Sequence, residues 1–139
     1  MKGERISIDT KLSAEDEAIV VRGLLAFNEG WIGPSNEQQL KLVARDGEGV
    51  VGGLIGHTRW NWLYVAKLWV HERARGSGVG TRLLNAAEDL ARARGCVGAS
   101  LDTFEYQARP FYEKLGYELF GTLDGYPPGY RQFYLRKLL

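Results

Sequence analysis

The chain has 139 residues and a mass of 15.6 kDa, which predicts a single domain over residues 1–139. Its 18 basic and 17 acidic side chains give a net charge of +1, so bulk charge does not favour a nucleic-acid partner. One cysteine, Cys96, excludes an internal disulfide and a cysteine-rich zinc module. The sequence shows neither an apolar run of membrane-spanning length nor the apolar core of a signal peptide, which predicts a cytoplasmic protein without a membrane partner.

The first half of the chain predicts a helix followed by an antiparallel meander. Ser13 precedes three acidic residues and an apolar pattern that extends to Phe27, which is typical of a capped amphipathic helix. An Asp-Gly pair at Asp46 predicts a hairpin between two alternating segments. The predicted elements are a strand at 5–9, a helix after Ser13, a loop at 30–36, and strands at 39–45, 50–56 and 62–70.

The second half changes period after Gly80. Apolar residues recur at helical spacing from Leu83 to Ala91, charged residues occupy the other face, and Gly95 is placed to end the helix. A short strand at 97–101, a short helix at 108–115 and strands at 117–123 and 131–138 follow. The sum predicts a mixed α/β domain with a mainly antiparallel central sheet flanked by helices.

Glycines occupy alternate positions where the strand at 62–70 leads into this helix. Backbone N–H groups at such a helix start form a ready site for a phosphate or pyrophosphate. The dinucleotide pattern G-x-G-x-x-G fails because Thr81 occupies its third glycine position, counted from Gly76, and a Walker loop fails at the same residue. The pattern R-x-x-G-x-G does match, with Arg75, Gly78 and Gly80.

A second block supports a family resemblance. Residues 108–117 fit the pattern A-x-x-x-Y-x-K-x-G-[FY], with Tyr112 at its tyrosine. With R-x-x-G-x-G before it, the chain resembles the GNAT superfamily of acyl-CoA-dependent N-acyltransferases. The resemblance implies that two neighbouring strands, here at 62–70 and 97–101, splay to admit the acyl-CoA arm.

The resemblance also implies acetyl-CoA as cosubstrate and no metal. The pyrophosphate would lie on the amides of residues 75–80, and the pantetheine arm would pair with the backbone of residues 68–70. A backbone N–H near Leu68 would stabilise the oxyanion, and Tyr112 would protonate the leaving thiolate. The implied donor-binding residues are Leu68, Trp69, Val70, Arg75, Gly76, Ser77, Gly78, Val79, Gly80 and Thr81.

The sequence departs from the family where many relatives carry a general base. Residues 64–68 contain no acid, and Glu105 stands where many relatives have an asparagine, seven positions before the tyrosine. An ammonium must lose a proton before it attacks a thioester. Asp102 and Glu105 are the catalytic candidates for that step, and Glu29 and His57 are the alternatives.

Variable loops are expected to build the acceptor pocket from Glu29, Trp31, Trp60 and Tyr126. Aromatic faces with a few carboxylates suit a cationic amine. The predicted function is therefore transfer of an acetyl group from acetyl-CoA to a primary amine of a small molecule by direct attack. The alternatives are a protein lysine or N-terminal acetyltransferase and a non-catalytic acyl-CoA-binding module. A homodimer is left open.

Overall fold

The computed structural model describes residues 5–139. The chain divides into two compact units, the first ending at Ser35 and the second running from Asn36 to Leu139. The single domain inferred from length stays a prediction. No helix within the described residues is long and apolar enough to cross a membrane.

The first unit is built around one helix, α1 (Ala14–Ile32). The Ser13 side chain accepts a hydrogen bond of 3.0 Å from the Asp16 N–H, as the capping pattern predicts. The helix runs beyond the expected end because an internal glycine such as Gly30 weakens a helix without ending it. It ends at Gly33, whose φ of 78° is left-handed and whose N–H donates to the Glu29 carbonyl.

Two predictions for the first unit are wrong. Residues 5–9 form no strand, and Ile6 and Ile8 within them are exposed. Five alternating residues are long enough for a strand, but alternation alone does not supply the paired neighbour that holds a strand in place. The loop expected from Gly30 begins at Gly33 instead, so Trp31 is helical.

The second unit contains an open six-stranded sheet in the order β1-β2-β3-β4-β6-β5. Neighbouring strands are antiparallel except for the parallel pair β3 and β4. This architecture confirms the predicted fold class. The strands are β1 (Gln38–Asp46), β2 (Gly49–Arg59), β3 (Trp62–Val70), β4 (Gly98–Phe104), β5 (Glu118–Asp124) and β6 (Arg131–Leu138).

Two helices, α2 (Val79–Ala93) and α3 (Arg109–Lys114), connect the later strands of the sheet. Much of the apolar stripe of α2 is buried, as the 3–4 spacing predicts, although Leu90 is 39% exposed. The helix packs on β1, β2 and β3. The core of this unit lies between α2 and the sheet, where Leu84, Leu54 and Leu63 are fully buried.

The parallel strands β3 and β4 pair over only part of their length. Their ladder runs from Trp62 opposite Gly98 to Val65 opposite Leu101 and then stops. A bulge in β3 follows at once, because the β2–β3 register shifts between Ile55 and Gly56 and leaves Ala66 without a partner. Since β4 continues to Phe104, the prediction that this strand ends at Leu101 is wrong. The two strands therefore splay beyond Val65 and Leu101.

Candidate active site

The segment between β3 and α2 has the geometry of an anion site. Gly76 and Gly78 adopt left-handed φ values of 78° and 86°, which glycine tolerates best. A Cβ on either would meet nothing within 4 Å, so there is open space beside the loop. The backbone hydrogen bonds of α2 begin with the Arg82 N–H, which donates to the Gly78 carbonyl at 3.0 Å. The N–H groups of the first turn of α2 therefore have no carbonyl partner within the helix, and such groups can bind an anion.

The arginines near this loop have different roles. Arg73 pairs with Asp46 at 3.2 Å and with Glu48 at 3.4 Å, which ties the loop to the β1–β2 hairpin. The hydrogen bond from Arg73 lowers the pKa of the Asp46 carboxyl. Arg75 donates from Nε to the Val70 carbonyl at 3.1 Å and borders the cavity beside the loop. Arg75 is therefore the charge best placed for a phosphate.

A cavity of about 690 Å³, the loop cavity, lies against this segment. Its other side is formed by Tyr106, Gln107, Ala108 and Phe111. Only Ala108 and Phe111 belong to a sequence motif. The Ser77 hydroxyl is used within the loop, where it donates to the Ala74 carbonyl. The other implied donor-binding residues all line the loop cavity: Leu68, Trp69, Val70, Arg75, Gly76, Gly78, Val79, Gly80 and Thr81.

A second cavity of about 320 Å³, the splay cavity, fills the gap where β3 and β4 separate. Residues 65–68 line it from β3, and Asp102 and Tyr112 line it from the other side. It shares Leu68, Gln107 and Ala108 with the loop cavity. The two cavities therefore adjoin one another, and together they make up the cleft between the glycine loop and the splayed strands.

Tyr112 brings a phenol into the splay cavity. Its side chain is 8% exposed, and its ring contacts Phe111 and Tyr117 edge-on at 5.1 and 6.0 Å between centroids. Burial, together with the charge of Asp102, raises its pKa to about 12. The phenol is therefore protonated at neutral pH and available as a donor.

The two catalytic carboxylates expected from the sequence occupy different places. Asp102 lines the splay cavity, and its Oδ2 accepts a hydrogen bond of 2.7 Å from the Tyr64 hydroxyl. Glu105 instead pairs with Arg131, accepting from its guanidinium at 2.9 Å and from its backbone N–H at 3.0 Å. Arg131 lowers the pKa of the Glu105 carboxyl. Glu105 is not among the described residues that line the cleft.

The two alternative bases lie apart from the cleft lining. The ring of His57 contacts that of Tyr64 at 5.5 Å, on a neighbouring cavity of about 440 Å³. Glu29 belongs to α1 in the first unit. Asp102 is thus the one carboxylate that the described residues place in the splay cavity with Tyr112.

The four acceptor residues predicted from the sequence are distributed over several places. Tyr126 contacts Phe104 edge-on at 5.5 Å, and Phe104 lines the splay cavity. Trp60 occupies the β2–β3 turn with a φ of 45° and borders the cavity that contains His57. Glu29 and Trp31 lie near the end of α1. Their roles stay predictions.

An aromatic cluster lies beside the cleft, and the sequence predicted only part of it. Phe104 stacks on Tyr106 at 5.7 Å, and Tyr106 meets Tyr130 edge-on at 5.1 Å. With Tyr126 these rings form a wall at the end of β4. Only their convergence in space defines the cluster, since Tyr126 and Tyr130 lie in the β5–β6 connection.

Residues 12–117 match the family model described as the Acetyltransferase (GNAT) family. The chain belongs to the GNAT family. The resemblance based on the glycine loop and on residues 108–117 is thereby confirmed, and this GNAT protein is an acetyltransferase.

Similar proteins support the same assignment. Blasticidin-S acetyltransferase from Streptomyces morookaense is 45% identical over 91 residues, which cover 65% of this chain and 67% of the relative. The crystal structure of an acetyltransferase from Bacillus cereus superposes with a TM-score of 0.86 at 28% identity, covering 96% of this chain and 98% of that one. A Bacillus anthracis protein solved with acetyl coenzyme A has a TM-score of 0.66 at 25% identity, covering 81% and 68%.

Proposed function

We propose that this GNAT acetyltransferase transfers the acetyl group of acetyl-CoA to a primary amine of a small molecule. The observation that carries the proposal is the splay cavity, which Asp102 and Tyr112 both line and which adjoins the loop cavity. A carboxylate for the amine proton and a phenol for the leaving sulfur are the two groups that such a transfer needs.

The donor side of the cleft fits acetyl-CoA by its chemistry. The start of α2 and the open loop at Gly76 and Gly78 suit a pyrophosphate, and Arg75 adds a positive charge. Beyond Val65 the backbone of β3 is released from its ladder with β4. That backbone would pair with the amides of the pantetheine arm, which brings the thioester towards Tyr112.

The residues of the cleft supply the proton transfers. Asp102 accepts one proton from the incoming ammonium, so that the amine nitrogen can attack the acetyl carbon. As the carbon–sulfur bond breaks, its electron pair goes to sulfur, and Tyr112 donates its proton there. The second proton that the nitrogen loses restores the tyrosine. A backbone N–H near Leu68 would bind the oxyanion.

Two features support a cationic small molecule as acceptor. The rings of Phe104, Tyr106, Tyr126 and Tyr130 stand beside the cleft, and aromatic faces attract ammonium groups. The similar protein from Streptomyces morookaense is named for blasticidin S, a small molecule. An acceptor of this class would place its amine at Asp102 and its body against the rings.

The test is acetyl-CoA binding by calorimetry, followed by mass spectrometry of acetylated products from a panel of amines. The panel contains blasticidin S, an aminoglycoside, a polyamine, amino acids and a lysine-containing peptide. We expect transfer to at least one small amine. Asp102→Asn is expected to lower kcat by about 10²-fold while leaving acetyl-CoA affinity unchanged, because general base catalysis contributes about that much.

Three outcomes would contradict the proposal. Binding of acetyl-CoA without transfer to any amine would favour a non-catalytic acyl-CoA-binding module. Transfer to the peptide alone would favour a protein acetyltransferase. Parental kcat in Asp102→Asn would remove Asp102 from the mechanism.

A further inference from the structure

Tyr64 and Asp102 form a hydrogen-bonded pair across the point where β3 and β4 separate. The Tyr64 hydroxyl donates to Asp102 Oδ2 at 2.7 Å, and the two residues are 38 positions apart in sequence. In the ladder Tyr64 lies opposite Ser100, so Asp102 is two residues further along β4, past the last paired position. The bond therefore links the paired part of β3 to the part of β4 that has separated from it.

The pair leaves one carboxylate oxygen available to a ligand. Among residues 5–139 the bond from Tyr64 is the only side-chain hydrogen bond that the Asp102 carboxylate makes. The carboxylate lines the splay cavity, while Tyr64 lines the neighbouring cavity with His57. With Oδ2 bonded to Tyr64, Oδ1 has no side-chain partner among the described residues and would be free to accept a hydrogen bond from a ligand in the splay cavity.

Tyr64 is itself held in place on the sheet. It lies opposite His57 in the β2–β3 ladder, and the two rings contact each other at 5.5 Å. Burial and the Asp102 carboxylate raise the pKa of Tyr64 to about 12, so the phenol remains a hydrogen-bond donor throughout the neutral range. A fixed donor restricts the rotation of an aspartate side chain, and small errors in the position of a catalytic group are costly.

We propose that Tyr64 is a positioning residue of this enzyme, which orients Asp102 so that its second oxygen accepts the proton of the acceptor amine. The inference rests on the proposed amine transfer and adds a residue that lies outside both family motifs. Tyr64 does not touch the reacting atoms; it acts through the 2.7 Å bond to Asp102.

The test compares Tyr64→Phe with Tyr134→Phe. Tyr134 is a matched control because it lies opposite Asp102 in the β4–β6 ladder and is likewise half-buried, yet its hydroxyl donates to Gln132 at 2.8 Å. We expect Tyr64→Phe to lower kcat about tenfold with the dissociation constant of acetyl-CoA unchanged. Tyr134→Phe is expected to keep the parental kcat, and both variants are expected to keep a cooperative melting transition.

A second measurement reports the pair without using activity. Tyrosine titration is followed by NMR with ¹³C at the phenolic carbon, in the parent and in Asp102→Asn. Removing the charge and the hydrogen bond of Asp102 is expected to lower the pKa of Tyr64 from about 12, since both raise it in the parent. If Tyr64 had only a structural role, kcat would not depend on its hydrogen bond to Asp102, which this titration reports.

The outcomes separate the inference from the function on which it rests. A parent that acetylates no amine overturns the proposed function and the inference together. A parent that transfers acetyl while Tyr64→Phe keeps its kcat, or while Tyr134→Phe loses as much, overturns the inference alone. An unchanged Tyr64 titration in Asp102→Asn does the same.

Discussion

At the scale of single residues, the chemical role of a side chain in the splay cavity depends on its protonation state as well as on its position. Tyr112 and Asp102 line the same small cavity, where the proposed function makes them the acid and the base, and burial together with the charge of Asp102 raises the pKa of Tyr112. Such an arrangement assigns opposite roles to two groups through their environments. Glu105, an equally plausible base in sequence, is held by Arg131 instead.

The first prediction concerns Tyr112→Phe. This variant keeps the ring and its packing while removing the proton donor, so kcat should fall by about 10²-fold with acetyl-CoA affinity nearly unchanged. Because the pKa of Tyr112 is raised to about 12, the parent should show no loss of kcat from this residue between pH 7 and about 10. Steady-state kinetics with an acetylated amine, together with a melting curve, measure both effects. Parental kcat in a folded variant would return Tyr112 to a purely structural role.

At the scale of elements, the start of α2 combines two functions. Gly80 lies in the first turn, close to the anion site, and also where the helix meets α3. A Cβ on Gly80 would lie 3.2 Å from Phe111 Cζ and 3.6 Å from Val70 Cγ2. A side chain at this position would therefore crowd Phe111, and under the proposed function it would also lie beside the pyrophosphate.

The second prediction is that Gly80→Glu weakens acetyl-CoA binding at least tenfold, which is about 1.4 kcal/mol, because it adds bulk and a negative charge at the anion site. The melting temperature should also fall, since Phe111 must shift. Gly47→Glu is the matched control, because Gly47 lies in the β1–β2 turn with nothing within 4 Å of its Cβ position. Calorimetry on both variants measures their affinity for acetyl-CoA. A folded Gly80→Glu with parental affinity would contradict the placement of the pyrophosphate.

At the scale of the whole molecule, buried tyrosine side chains, including those of the candidate site, affect the stability of the second unit. Tyr117 is 3% exposed and donates to the buried Glu88 carboxylate at 2.8 Å, and Lys137 donates to the other oxygen at 2.8 Å. Burial, reinforced by Glu88, raises the pKa of Tyr117 far above its ordinary value of 10.0. Tyr64 and Tyr112 are shifted in the same direction.

The third prediction follows from these shifts. A phenol whose pKa is higher in the folded state contributes stability that is fully present below its unfolded pKa of about 10 and is lost as the pH rises towards the folded value. We therefore expect the free energy of unfolding to fall steadily from about pH 10 towards pH 12. Tyr117→Phe should be less stable at neutral pH but should show a shallower decline. Urea unfolding at several pH values measures both slopes.

The control for the alkaline experiment is Tyr106→Phe. Tyr106 is 59% exposed, so its removal should leave the parental slope above pH 10 unchanged. Equal slopes for the parent and Tyr117→Phe would contradict the assignment of alkaline unfolding to buried phenols.

The sequence alone determined the parts of this protein whose cause is local. Gly76 and Gly78 adopt left-handed backbone, which glycine tolerates without the steric cost of a side chain, and the apolar stripe of α2 favours a buried face. The family, the fold class and most residues of the loop cavity could therefore be predicted, although Tyr106 and Gln107 of that cavity could not. The strand predicted at residues 5–9 does not form, because pairing depends on a neighbour that periodicity does not supply.

Only the tertiary structure decided which distant side chains meet. Asp102 and Glu105 are three residues apart in sequence, yet the bulge at Ala66 and the short β3–β4 ladder open a cavity at Asp102, while the β5–β6 connection brings Arg131 to Glu105. Tyr64 gave no signal in sequence because its partner lies 38 residues away. Strand register and splay set these contacts, and both depend on packing over the whole sheet rather than on local pattern.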